Sequence, residues 1–156
     1  MAGLVSYDIY FVTRRDGQTW DEAMEALEDA AEDSEGIPAH LLEAWDRIVP
    51  EARPLLGELD LTDHEHESRE LSQSDTGITL SLYGNELSIT VPYWHTGDDA
   101  AAVLDKVFAL ASIVERETGL TAYDPQLDRA LTEGQPEEAA ELMSRIAEDL
   151  RSRYGV

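Results

Sequence analysis

The pattern of apolar and polar positions predicts four β-strands. In residues 6–13, SYDIYFVT, apolar side chains fall on both faces, which is typical of a central strand. In residues 78–83, ITLSLY, and 86–93, ELSITVPY, apolar and polar residues alternate, so one face is expected to be covered and the other solvated. A fourth, short strand is predicted at residues 120–123.

The two alternating strands are separated by Gly84-Asn85, and a glycine at the first central position favours a type II′ hairpin turn. A two-residue loop fixes the register. Apart from a Tyr–Glu pair beside the turn, apolar residues then face apolar ones and polar residues face polar ones. The expected pairs are Tyr83–Glu86, Leu82–Leu87, Ser81–Ser88, Leu80–Ile89, Thr79–Thr90 and Ile78–Val91.

Apolar residues spaced by three and four positions predict helices between the strands. Thr19 and Glu22 have the spacing of a capping box at the start of the first helix. A second helical stretch follows Pro38, and Pro50 is expected to break or kink it because proline donates no amide hydrogen bond. Two further helices are predicted, one ending at Gly119 and one beginning near Pro136.

This order of elements predicts one α+β domain over residues 1–156. Up to the fourth strand it is βαββαβ, which indicates a ferredoxin-like sandwich with an antiparallel sheet covered by helices on one face. An added helix pair and a C-terminal helix complete this prediction, and another α+β layer order with the same elements is the alternative. In the predicted topology the first and third strands are parallel neighbours.

Residues 58–77 show little periodicity and much charge, and we expect a long acidic loop there. The loop contains the stretch DHEHE, in which His64 and His66 would point the same way if the chain is extended. Two imidazoles beside carboxylates can begin a zinc or nickel site, but such a site needs three or four ligands. A hydrated loop is the alternative interpretation.

Charge narrows the possible partners. The chain has 34 acidic and 11 basic residues, for a net charge of −23, so its surface repels nucleic acid and anionic lipid. It has no cysteine, no recognisable signal peptide and no apolar run of the ~20 residues that span a bilayer, and we expect a cytoplasmic protein. A basic protein partner is one explanation of the charge, and solubility alone is the other.

The acidic residues are concentrated on the first helix, where no lysine or arginine occurs between Arg15 and Arg47. Four carboxylates of this helix are candidates for a partner-binding surface, together with the acidic loop. A solvated outer helix face is the alternative. The four candidates are Glu25, Glu28, Asp29 and Glu32.

The sequence does not favour an enzyme or a cofactor, because it has no G-x-S-x-G, no P-loop and no G-x-G-x-x-G motif. If the first and third strands were parallel, their carboxyl ends would bring arginine, aromatic and imidazole side chains together, and these could hold a small anionic ligand. The alternative is that the aromatic residues cap the core and the arginines pair with acids. The residues of this predicted pocket are Arg14, Arg15, Tyr93, Trp94 and His95.

Two motifs, SYDIYF near the N-terminus and GLTAYDPQL late in the chain, resemble sequences of small uncharacterised bacterial proteins, actinobacterial ones especially. Some proteins of that group resemble immunity proteins of polymorphic toxin systems. The resemblance implies a protein-binding role and assigns no functional residue. The expected function is therefore a non-enzymatic acidic module that masks a basic protein such as a nuclease toxin. The alternative is a small-ligand or metal-binding domain that uses His95 or the pair His64 and His66.

Overall fold

The computed structural model describes residues 6–13, 17–32, 36–64, 67–93 and 95–154, with the backbone alone at 30–32, 132, 136 and 154. The elements follow one another as β1 (Ser6–Val12), α1 (Trp20–Glu32), α2 (Ala39–Leu56), β2 (Asp60–His64), β3 (Ser68–Gln73), β4 (Ile78–Tyr83), β5 (Glu86–Pro92), α3 (Gly97–Thr118), β6 (Thr121–Asp124), β7 (Arg129–Ala130), a short 3₁₀ helix (Leu131–Glu133) and α4 (Pro136–Tyr154).

The strands form one open antiparallel sheet in the order β2-β3-β4-β5-β1-β6-β7. The predicted α+β class is thereby confirmed. The four-stranded ferredoxin-like βαββαβ topology is not matched, because the sheet has seven strands. The four strands that the sequence predicted are β4, β5, β1 and β6, and they lie side by side in the middle of the sheet.

The expected parallel pairing of the first and third strands is wrong. β1 pairs antiparallel with β5, from Ser6 opposite Pro92 to Phe11 opposite Leu87, and antiparallel with β6 on its other side. The carboxyl end of β1 therefore lies beside the amino end of β5. The pocket prediction relied on the opposite arrangement and loses its geometric basis.

The β4–β5 hairpin has the predicted register over five pairs, from Thr79 opposite Thr90 to Tyr83 opposite Glu86. Gly84 has φ of 57°, as the first central residue of a type II′ turn requires. Leu80, Leu82, Leu87 and Ile89 are fully buried on one face, while the residues between them are more exposed. Burial of one apolar face thus fixed this register.

The expected long loop at residues 58–77 is wrong, because β2 and β3 form a second hairpin there. All five residues of β2 are exposed, and β3 buries only Leu71 and Gln73. The pairing between the strands, rather than apolar burial, maintains β2. This explains why the hydrophobic pattern does not reveal the hairpin.

The two faces of the sheet are covered by different helices. The inner face, which includes Ile9, Phe11 and Ile89, shares the main core with buried side chains of α2, α3 and α4. The outer face carries the alternate residues of the same strands, including Tyr10 and Val12. α1 packs on this outer face, so the expectation that helices cover one face only is wrong. The outer cluster contains Tyr10, Val12, Trp20, Ala23, Met24, Leu27 and Tyr123.

Local signals in the sequence fix several helix ends. The predicted capping box is present: the Glu22 amide donates to Thr19 Oγ1 at 3.1 Å, and the Thr19 amide donates to Glu22 Oε1 at 3.0 Å. Gly119, with φ of 77°, follows the last residue of α3 as predicted. The predicted break at Pro50 is not observed, because α2 continues to Leu56. Among the described residues, no helix is both long and apolar enough to cross a membrane.

Replacing Thr19 with alanine is expected to lower the free energy of unfolding by about 1 kcal/mol, because the amide of Glu22 loses its acceptor. Thr19→Ser retains the hydroxyl and serves as the control, with stability close to wild type. Urea denaturation of the three proteins measures the difference. Equal loss in both variants would contradict the capping role of the hydroxyl.

Candidate functional site

α1 exposes an acidic face to solvent because its apolar residues are packed on the outer face of the sheet. Four of its carboxylate side chains, Asp21, Glu25, Glu28 and Asp29, are exposed, and Glu22 is exposed at the cap. None of the ion pairs between described residues includes a carboxylate of α1. Three of the four predicted partner-binding residues thus lie on one exposed surface. For the fourth, Glu32, only the backbone is described.

One carboxylate of α1 acts electrostatically on the sheet below it. Burial raises the pKa of Glu86, and the charge of Glu28 raises it further. Burial also raises the pKa of Tyr10, with contributions from the charges of Asp8, Glu86 and Glu28. Like charges are therefore crowded where α1 meets β5, and a cation placed there would relieve their repulsion.

Beyond α1, the outer face is accessible on β3, β4 and β5. Besides Pro92 at the end of β5, nine side chains of these strands point outward, and each of them is partly or fully exposed. Tyr83 is the most prominent, with 64% of its surface exposed. We call this surface the open face. It consists of Ser68, Glu70, Ser72, Thr79, Ser81, Tyr83, Glu86, Ser88 and Thr90.

Of the five residues of the predicted pocket, the structure describes Tyr93 and His95. Arg14, Arg15 and Trp94 lie outside the described residues. Tyr93 is buried, and its hydroxyl has no hydrogen-bond partner among the described residues. The His95 Nε2 atom lies 2.8 Å from the carbonyl oxygen of Thr76, which joins this segment to the β3–β4 connection. His95 therefore has a structural contact, and its role in ligand binding stays a prediction.

The structure describes one of the two histidines of the predicted metal site. His64 is exposed at the end of β2, and His66 lies outside the described residues. Within the described ranges, no group of three or more His, Asp or Glu side chains could hold a metal ion. Metal binding by this pair stays a prediction.

The two motifs that carried the family resemblance meet in the structure. The Tyr7 hydroxyl donates to Asp124 Oδ2, and Asp124 is 1% exposed. The other oxygen, Oδ1, accepts from the Gln126 amide at 2.9 Å and from Gln126 Nε2 at 2.7 Å. The carboxylate thus joins the first strand to the turn after β6. The contact between the two motifs was not predicted from the sequence.

Gln126 extends the sheet where β6 has ended. Its Oε1 accepts from the Asp8 amide at 2.9 Å, and its Nε2 donates to the Asp8 carbonyl at 2.8 Å. A neighbouring strand would make the same two hydrogen bonds with its backbone. The DPQ sequence therefore has a structural explanation that requires no ligand.

Burial raises the pKa of Tyr7, and the charge and hydrogen bond of Asp124 raise it further. Burial, with the charges of Asp8 and Asp124, raises the pKa of Tyr93 to about 12. The two rings lie edge to face, with centroids 6.3 Å apart. Both phenols consequently stay protonated across the physiological range.

A cavity of about 420 Å³ lies between α1, the start of α2 and the β4–β5 turn. Its volume is within the range of small-molecule pockets. Asn85 is part of its lining, and its buried Oδ1 atom has no hydrogen-bond partner in the part of the chain that the structure describes. The cavity lies at the amino end of β5, whereas the predicted pocket was placed at the carboxyl end. Its described lining is Thr13, Gln18, Ala23, Ala26, Leu27, Pro38, His40, Leu41, Asn85, Thr118 and Leu120.

Comparisons with protein-family models, with curated proteins and with solved structures gave no match to this chain.

Two tyrosines allow the buried network to be tested with the same chemical change. Tyr7→Phe removes a donor from buried Asp124 and is expected to cost about 1–3 kcal/mol of stability. Tyr93→Phe removes a hydroxyl that no described residue partners and is expected to leave stability within about 0.5 kcal/mol of wild type, or to raise it. Denaturation at neutral pH measures both, and equal effects would contradict the assigned roles.

The raised pKa values predict an alkaline loss of stability. Above pH ~10 the unfolded chain releases its tyrosine protons, whereas folded Tyr7 and Tyr93 keep theirs. The free energy of unfolding should therefore be independent of these groups below pH ~10. It should fall between pH 10 and 12 by up to about 1.4 kcal/mol per pH unit for each group. Tyr93→Phe should reduce this slope, and an unchanged slope would contradict the prediction.

Proposed function

We propose that this protein is a non-enzymatic acidic binding module that captures a basic protein. The observation that carries this proposal is the exposed carboxylate face of α1, on which no described ion pair supplies a cation. A solvated helix commonly pairs acids and bases along its surface, which lowers its net field. The carboxylates of α1 keep their negative electrostatic field, and a basic partner would neutralise it.

The overall charge supports the same function. A net charge of −23 attracts a basic protein over long distances and speeds its association, and salt weakens this effect. The same charge repels phosphate groups, so nucleic acid is a poor partner.

The partner we propose is one whose own function requires a positive surface, such as a nuclease that binds phosphate groups. Masking that surface with carboxylates would block its substrate, which is what an immunity protein does to a toxin. The resemblance in the motifs SYDIYF and GLTAYDPQL supports this finer proposal.

The cavity between α1 and α2 favours a second candidate function, the binding of a small molecule. Its volume of about 420 Å³ would accommodate a drug-sized ligand, and its lining includes apolar residues together with Asn85. This candidate differs from the predicted pocket, because neither Tyr93 nor His95 is among the described lining residues.

Neutralising three carboxylates of α1, in Glu25→Gln/Glu28→Gln/Asp29→Asn, is expected to weaken binding of arginine-rich peptides by about tenfold at low salt. The control is Glu137→Gln/Glu141→Gln/Glu148→Gln, which removes the same charge from exposed positions of α4. Isothermal titration at low and high salt measures both. Equal weakening by the two variants would mean that total charge, and not α1, determines capture.

A further inference from the structure

The open face has the composition of a protein-binding surface. Six of its nine outward side chains are serine or threonine, and the others are Glu70, Tyr83 and Glu86. Short hydroxyl side chains let a partner backbone approach closely, and they both donate and accept hydrogen bonds. Antibody paratopes combine tyrosine, which supplies rigid contact area, with serine, which supplies adaptable hydrogen bonds. None of the nine residues is basic.

Tyr83 lies between two carboxylates on this face. The register places Tyr83 directly opposite Glu86 on β5 and opposite Ser68 on β3. Glu70 is two residues along β3 from Ser68 and points to the same face, so it is a diagonal neighbour of Tyr83. An exposed aromatic ring thus has an acid on each side.

This arrangement matches the chemistry of an arginine side chain. A guanidinium group stacks on an aromatic face and also donates several hydrogen bonds in its plane. On the open face, Tyr83 supplies the ring, while Glu70 and Glu86 supply acceptors on two sides. The like charge of Glu28 near Glu86 adds to the attraction of a cation at this position.

We propose that the open face is the docking surface for an arginine-bearing segment of a basic protein, with one arginine stacked on Tyr83 between Glu70 and Glu86. This inference rests on the proposed function and adds to it the surface that the partner contacts. α1 lies beside the open face, because it contacts β5 and the charge of Glu28 raises the pKa of Glu86.

Charge selects this occupant over the alternatives. A second copy of the chain would bring two surfaces of the same sign together, at a net charge of −23 each. Nucleic acid would place phosphates against Glu70 and Glu86. A cationic protein segment gains attraction from both glutamates and stacking from Tyr83.

The test uses the full-length protein and three synthetic peptides of equal length in which every second residue is serine. The remaining residues are all arginine in the first peptide, all lysine in the second and all uncharged citrulline in the third. Tyr83→Ala is expected to weaken binding of the arginine peptide about fivefold, and Tyr83→Phe is expected to retain it because the ring remains. Glu70→Gln and Glu86→Gln should each weaken it about two- to threefold, and the citrulline peptide should not bind.

Leu61→Ala is the matched control. Leu61 is the other large exposed hydrophobic side chain among the described residues, with 45% of its surface exposed. It lies opposite Leu71, which points to the inner face of the sheet, so Leu61 is not part of the open face. Its removal should leave the affinity for the arginine peptide unchanged. We expect each variant to fold, because the substituted side chains lie at the surface, and circular dichroism checks this.

Comparison of the α1 and Tyr83 variants distinguishes this proposal from the proposed function. If the α1 variant weakens binding but Tyr83→Ala does not, the open face is refuted while capture by α1 stands. If Leu61→Ala weakens binding as much as Tyr83→Ala, the assignment to Tyr83 is refuted. If the wild-type protein does not bind the arginine peptide at low salt, both proposals are overturned.

Discussion

β1 is covered on both of its faces, and the arrangement of the other elements depends on this constraint. Ile9 and Phe11 lie in the inner core, while Tyr10 and Val12 lie in the outer cluster under α1. A strand with apolar residues on both sides is stable only between two layers, so one helix must pack on the outer face. α1 fills that place with a single apolar stripe. Its opposite side is exposed and carries carboxylates.

The same strand is fixed along its length by polar contacts. Asp124 binds the hydroxyl of Tyr7, and Gln126 binds the backbone of Asp8. Trp20 of α1 stacks on Tyr123 of β6, with ring centroids 4.7 Å apart. The N-terminal motif, the late motif and the first helix are thereby held in one unit. The acidic face of α1 is therefore held against the sheet by packing in the outer cluster and by the Trp20–Tyr123 stack.

The sequence predicts an element well where burial leaves a periodic pattern. The register from Thr79 to Glu86 is predictable because a shift by one residue would expose Leu80 and Leu82. β2 and β3 are missed because β2 has no buried face to leave such a pattern. The position of α1 on the outer face is missed because periodicity shows which residues are buried, but not against which side of the sheet.

The candidate site, too, could be predicted from the sequence only where its residues belong to elements with a periodic hydrophobic pattern. The carboxylates of α1 are predictable from helical spacing, since Glu25 and Asp29 fall opposite the apolar stripe and Glu28 falls at its side. Tyr83 was visible as the single mismatch in an otherwise regular hairpin, opposite Glu86. Its neighbour Glu70 belongs to β3, a strand that the hydrophobic pattern does not reveal. The site combines residues from two hairpins, and only the pairing of β3 with β4 brings them together.

At the far edge of the sheet, β2 presents a row of backbone groups that no further strand covers among the described residues. Such an edge can add a strand from another molecule and extend into a shared sheet. Asp60 places negative charge along it and the chain carries a net charge of −23, so two copies repel each other before their edges can join. Acidity here acts as a barrier to aggregation.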